Sequence, residues 1–203
     1  MPVDPEDALL VRKARTGDIQ AFERLFDKYQ KPIYNMLLRM LRSSDDASDL
    51  TQDTFIKAYR ALGSLREEAI FYPWLRQIAV NLARNLWKRT GRVRMSSLDD
   101  SQTTDEGEEI SRELPDWSSN PEELAQDEEL RRKIEQAIST LSEDHRTVVT
   151  LHHLEGMPVA DIADALGISV GTVKSRLSRA RDQLHRKLSA YVLPAELSAG
   201  PSA

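Results

Sequence analysis

The sequence predicts an all-α protein, built as two small helical domains joined by an acidic flexible linker. Three observations carry this expectation. From Pro5 to Trp87 the apolar residues recur at spacings of three and four with few alternating stretches, the pattern of helices that bury one side. Helix-start signals punctuate the chain at Asp18, at Ser44 or Asp45, at Asn120-Pro121 and at Ser142. Between residues 96 and 119 the apolar pattern stops altogether. With 203 residues and 40% hydrophobic content, the chain is long enough for two cores. The predicted units are residues 1–95, a linker over 96–119, a second domain over 120–190 and a tail over 191–203.

Each element has a local reason. Asp18, after Gly17, can cap a helix through "IQAFERLFDKYQKPIYNMLLRML", which Pro32 is expected to bend or divide. A helix from Ser44 or Asp45 to about Leu62 has acids in its first turn and bases in its last, matching the helix dipole, and Gly63 ends it. Residues 96–119, "SSLDDSQTTDEGEEISRELPDWSS", hold too few apolar groups to offset ordering entropy. Folding resumes at "NPEE", where Asn120 suits an N-cap and Pro121 the first helical position; that helix should reach about Leu141. Ser142, followed by Glu143 and Asp144, looks like the cap of the next, and the chain frays from about Leu193.

Composition excludes several functions. The chain has no cysteine, so disulfides and thiolate metal sites are ruled out. No apolar run spans a bilayer and the first thirty residues do not read as a signal peptide, so the expectation is a cytoplasmic protein without membrane insertion. The net charge of −5 hides segregation: residues 1–95 carry seventeen bases and twelve acids, 96–129 one and thirteen, and 130–203 ten and eight. Two weakly basic blocks are therefore tied by a strongly acidic segment. His145, His152, His153 and His185 have no ligand spacing, and the adjacent pair should point to different sides of a helix, so no metal or cofactor is expected.

Residues 159–184, "VADIADALGISVGTVKSRLSRARDQL", have the layout of a helix-turn-helix. Ile162, Ala163 and Leu166 form an inner stripe, Gly167 permits the turn, and Ser169 caps a second helix whose inner positions are Val173, Leu177 and Ala180. The outward side then carries Thr172, Lys174, Ser175, Ser178, Arg179 and Arg181, donors that suit phosphates and base edges in a major groove.

A second stretch, residues 69–98, "AIFYPWLRQIAVNLARNLWKRTGRVRMSSL", contains no carboxylate, yet sets four aromatic rings beside six cations. On a helical wheel Leu75, Ile78, Ala79, Leu82 and Leu86 cluster on one side, with Gln77, Asn81, Arg84 and Lys88 roughly opposite. Such a surface suits an unpaired strand: cations follow phosphates, while rings and amides receive unstacked bases.

Taken together, "DASDLTQDTFIKAYRAL", "FYPWLRQIAVNLARN", the acidic linker and "LSEDHRTVVTLHHLEGMPVADIADALGISVGTVKSRLSRARDQL" resemble an extracytoplasmic-function (group IV) sigma factor of bacterial RNA polymerase, over nearly all of residues 8–190. The resemblance implies sigma domain 2 for 1–95 and sigma domain 4 for 120–190. It implies that Asp49, Gln52, Asp53 and Lys57 meet the clamp helices of the polymerase's largest subunit, with Phe55 packed inside. It also implies that Ser64, Arg66, Phe71 and Trp74 surround a flipped base of the minus 10 element while Asn81, Arg84, Asn85 and Lys88 line the melted strand. Ser169, Val170, Thr172, Lys174, Ser175, Ser178 and Arg179 would read the minus 35 element as duplex. The second-subunit flap of core polymerase and an anti-sigma factor are the further partners implied. No catalytic residue is expected. Two other classes stay open at this level: a helix-turn-helix regulator that binds duplex operators without core polymerase, and an enzyme acting on nucleic acid, although no acid-base or metal constellation is visible.

Overall fold

The computed structural model describes residues 5–65, 70–91 and 121–192. Among them no strand occurs, and eight α-helices follow one another: α1 (Pro5–Arg15), α2 (Ile19–Leu41), α3 (Ser44–Ala61), α4 (Phe71–Arg89), α5 (Pro121–Ser139), α6 (Glu143–Val149), α7 (Val159–Leu166) and α8 (Val170–Val192). A 3-10 turn, Leu62–Ser64, follows α3, and a π turn, Thr150–Leu154, continues α6. The predicted linker over 96–119 and the tail from 193 onward lie outside the described residues.

Local capping sets the helix starts. The Asp18 carboxylate accepts the Ala21 N–H at 3.1 Å, the Ser43 hydroxyl that of Asp46 at 3.2 Å, and the Ser142 hydroxyl that of His145 at 3.3 Å. Pro32 does not divide α2, which runs unbroken to Leu41. Proline forfeits one backbone hydrogen bond, but Tyr29, Ile33, Met36, Leu37 and Met40 are buried on both sides of it, and their packing holds the helix together. Arg42 takes a left-handed conformation, φ 57°, and returns its N–H to the Leu38 carbonyl at 2.9 Å, which closes the helix.

Helices α1 to α4 pack around α2. Phe22 and Phe26 meet Phe55 of α3 edge to face, and Asp7 of α1 is buried where it binds Lys28 (2.5 Å) and the Tyr29 hydroxyl. Helices α5 to α8 build a second layer. The two layers share one apolar core, because α2 packs against α6 and α4 against α7.

Candidate nucleic-acid interface

Gly167, at φ 64° and ψ 43°, supplies the left-handed residue that stops α7. Two residues later the Ser169 hydroxyl accepts the Thr172 N–H at 3.0 Å and lies 2.8 Å from the Thr172 hydroxyl, so α8 starts where the sequence places it. Ile162, Ala163, Val173, Leu177 and Ala180 are buried, Leu166 only partly. The opposite side of α8 presents Ser169, Val170, Lys174, Ser175, Ser178, Arg179 and Arg181 to solvent, with Thr172 half-buried. Arg176 leaves this face and pairs with Asp144 of α6 at 2.9 Å.

Helix α4 is less simply amphipathic than the wheel suggests. Leu75, Ala79 and Leu82 are buried as expected, but so are Arg76, Val80, Ala83 and Trp87, whereas Ile78 and Leu86 are half-buried. The added burial has a cause outside the helix: α7 and Glu155, the residue after the π turn, cover a second flank, where Arg76 meets Glu155. Asn81, Asn85 and Lys88 remain exposed in a row, and Trp74 and Gln77 are half-buried at its border.

Phe71 needs correction as a candidate base contact. Its ring is fully buried, 5.9 Å from the Tyr29 ring and 6.0 Å from Trp74, so it is a core residue; an aromatic at the mouth of a helix is apolar enough to be drawn inside. Arg84 is only partly exposed, because the turn at Gly167 lies on it so closely that a Cβ there would overlap the guanidinium. Ser64 is exposed and donates to the Ala61 carbonyl at 2.7 Å, while Arg66 lies outside the described residues.

On α3, Asp49, Gln52, Asp53 and Lys57 share the exposed side, and Leu50, Thr54, Phe55 and Ala58 face inward. Sequence reasoning missed that the same side carries Ile56 and Tyr59, nearly half exposed, beside a groove of about 530 Å³ lined also by Phe22, Phe26 and Phe55. Their positions four and seven after Gln52 were a readable signal of an apolar outer stripe.

Among the described residues no group of three or more His, Cys, Asp or Glu could hold a metal. The rings of His152 and His153 do not diverge; they meet edge to face at 4.8 Å, because the wider π turn brings successive side chains closer together in direction than an α-helix does. His152 Nδ1 lies 3.1 Å from the Met157 carbonyl oxygen. Burial, and then the neighbouring His152, lowers the His153 pKa below its ordinary value.

Comparison with known proteins identifies both halves of the chain. Residues 25–93 match Sigma-70 region 2, and residues 131–184 match Sigma-70, region 4. The RNA polymerase sigma-H factor of Pseudomonas aeruginosa is 38% identical over 191 residues, which is 93% of this chain and 96% of that protein. The ECF RNA polymerase sigma-E factor of Escherichia coli K12 is 39% identical over 186 residues, 92% of this chain and 96% of that one.

The chain belongs to the extracytoplasmic-function sigma factors.

Its backbone resembles CnrH, solved in complex with the cytosolic domain of CnrY (TM-score 0.56, 25% identity, 92% of this chain and 99% of that one). It also resembles the sigma factor RpoE of Bartonella quintana, solved with the anti-sigma factor NepR (TM-score 0.54, 25% identity, 83% of this chain and 96% of that one). In this sigma factor the region 2 match takes in α3 and α4 whole, and the region 4 match takes in the helix-turn-helix. No helix among its described residues is long and apolar enough to cross a membrane.

Proposed function

We propose that this sigma factor docks on core RNA polymerase through the outer side of α3, reads the minus 35 element as duplex with α8 and holds the melted minus 10 strand along α4. The observation that carries the reading is the pairing, in one chain, of two unlike donor faces. The α8 face, with Lys174, Ser175, Ser178 and Arg179 at the start of a capped helix, has the shape of a major-groove reader. The α4 face, with Asn81, Asn85 and Lys88 beside Trp74, offers amides and a ring edge to unstacked bases and cations to the backbone. A duplex regulator needs only the first of these.

On α3, Asp49, Gln52, Asp53 and Lys57 offer charged and amide groups to the clamp helices, and the apolar stripe of Ile56 and Tyr59 adds area that gains from desolvation. Residues 120–190 would meet the second-subunit flap, with 1–95 as domain 2 and 96–119 as the acidic linker. The protein works in the cytoplasm, by binding rather than catalysis, without a metal or other cofactor. An anti-sigma factor holds it inactive, a reading supported by the Bartonella RpoE, similar in backbone and solved with the anti-sigma factor NepR.

Run-off transcription tests this reading. Purified chain added to bacterial core polymerase should start transcripts at new promoters from its own genome. Failure to bind core or to start at new sites, with duplex binding retained, would return the protein to the class of conventional regulators.

A further inference from the structure

The face that α8 turns toward a duplex does not stop at the helix itself. Lys174, Ser178 and Arg181, spaced by four and then three, lie along one exposed line of α8. From Lys174 to Arg181 the helix rises about 10 Å, close to the roughly 12 Å width of a B-form major groove. With Lys174 over base edges, Arg181 therefore comes to the rim of the groove, where phosphates lie. The π turn Thr150–Leu154 adds His153 to this rim: its side chain is exposed, and Arg181 is near enough for its charge to act on the imidazole.

No carboxylate compensates this group. The His153 ring packs edge to face on His152 at 4.8 Å, and His152 Nδ1 lies 3.1 Å from the Met157 carbonyl oxygen, which fixes the pair in orientation. Glu155, two residues on, is turned to α4, where it accepts the Tyr72 hydroxyl at 3.0 Å and lies 3.9 Å from Arg76. Asp182, the next residue of α8, points about 100° around the helix from Arg181. Arg176, by contrast, is paired with Asp144 at 2.9 Å. Among the described residues, the charged groups that act on His153 are thus His152 from its own turn and Arg181 from α8. Burial first, and then these two, oppose a proton and hold His153 below the ordinary histidine value, so the free chain carries it neutral at neutral pH.

Groups of one sign, set together at the edge of a nucleic-acid face with no acid of the chain between them, suit an anion supplied from outside. A phosphate between Arg181 and His153 cancels the repulsion from the arginine and adds an attraction of its own, and both effects favour imidazolium. We propose that His153 is a further duplex contact of this sigma factor: with Arg181 it grips a backbone phosphate beside the minus 35 element, and it takes up a proton from solvent as the complex forms. The assignment rests on α8 reading a duplex, as argued in the preceding subsection. Its sign follows from linkage. Above the bound-state pKa the imidazole is neutral with or without DNA and affinity is flat; between the bound and free values affinity climbs as the pH falls; below both it is flat again.

Fluorescence anisotropy with the full-length chain and a labelled duplex carrying a minus 35 element from its own genome tests this at fixed salt. Between about pH 8 and about pH 6 the parent should bind about ten-fold tighter at the lower value, the effect of one pKa unit at the low end of what a neighbouring opposite charge produces. The slope of log affinity against log salt should be steeper by about 1 at the lower pH, since one more phosphate is neutralised. His153→Gln should remove most of both effects. His153→Lys, cationic throughout, should bind at the higher pH about as tightly as the parent does at the lower one, a rescue that a purely structural ring would not give. His145→Gln should keep the pH effect, because that ring is half-buried, is bonded to Gln183 and has its Nδ1 enclosed without a partner. Calorimetry in two buffers of different ionisation heat should show proton uptake on binding by the parent and not by His153→Gln. Affinity that is equal at the two pH values overturns the proposal, as does a rise that His153→Gln leaves whole or that His145→Gln abolishes. Absence of duplex binding at either pH overturns the reading of α8 together with it, which keeps the two failures apart.

Discussion

Replacing Ser169 with alanine separates a helix cap from a DNA contact. In the structure the hydroxyl is engaged within the protein, accepting the Thr172 N–H at 3.0 Å, and the Ser169 carbonyl takes the Val173 N–H at 3.1 Å. Alanine keeps the carbonyl bond and loses the hydroxyl, a change of about 1 kcal/mol within a range of roughly 0.5–2. For a chain of this size that lowers the melting temperature by about 2–4 °C. It also loosens the first turn of α8, which carries Thr172 and Lys174, and 1 kcal/mol of re-ordering weakens duplex binding about five-fold. Thermal melting and titration with a minus 35 duplex at one salt concentration measure both quantities. Ser169→Asn should restore both, since its amide oxygen caps as well as serine. Affinity lost at an unchanged melting temperature, and not recovered by asparagine, would refute the capping argument and make Ser169 a direct contact.

Lys174→Ala and Arg179→Ala should each weaken the minus 35 complex. A contact to a base edge costs about 1–3 kcal/mol and relaxes the preference at one position, whereas a phosphate contact lowers the salt slope by about 1, and a footprint identical to the parent's would count against both placements. Phe71→Ala should destabilise the fold by about 3–5 kcal/mol, because the ring is wholly enclosed; a folded variant with normal melting and poor strand binding would restore Phe71 as a base contact. For pH, burial is the main cause that lowers both His145 and His153. The unfolded chain then takes up protons first, so their contribution is complete above about pH 6.5 and declines as the pH falls through that value toward the lowered ones. Denaturation midpoints across this window should fall toward acid, and His145→Gln with His153→Gln should flatten the fall. Tyr29 behaves oppositely: burial, then its bond to Asp7, pushes it up to about 12, so its contribution holds below about pH 10 and is lost as the pH climbs from there toward 12.

Features set by neighbouring residues were legible in the sequence. Asp18, Ser142, Ser169 and Gly167 each act within a turn of their own position, and each occupies the role its residue type suggests. Of the outward row that helical periodicity draws on α4, Asn81 and Lys88 are exposed, while Gln77 and Arg84 are half-buried. Arg76 was not legible, since a cation in a helix reads as solvated until its acceptor is known, and its acceptor lies 79 residues away. Arg146 is likewise bound to carbonyls 106 and 107 residues distant. Backbone carbonyls carry no sequence signature, so no pattern of residue types could announce either contact. The misreading of Phe71 has a related origin: periodicity gives the direction of a side chain but not what the rest of the chain lays over it.

The acid-free stretch thus has more than one reason to exclude carboxylates. An acid among Asn81, Asn85 and Lys88 would repel a nucleic-acid backbone on the open face. On the other flank, an acid one turn from Arg76 would offer the guanidinium a partner within α4 itself, satisfied whether or not Glu155 is in place. The arginine would then lose its dependence on the second half of the chain. Arginine rather than lysine also fits the contact between the halves, because Arg146 reaches three carbonyls of two halves with three separate nitrogens held in one plane, a geometry that a single ammonium on a flexible stem matches less well.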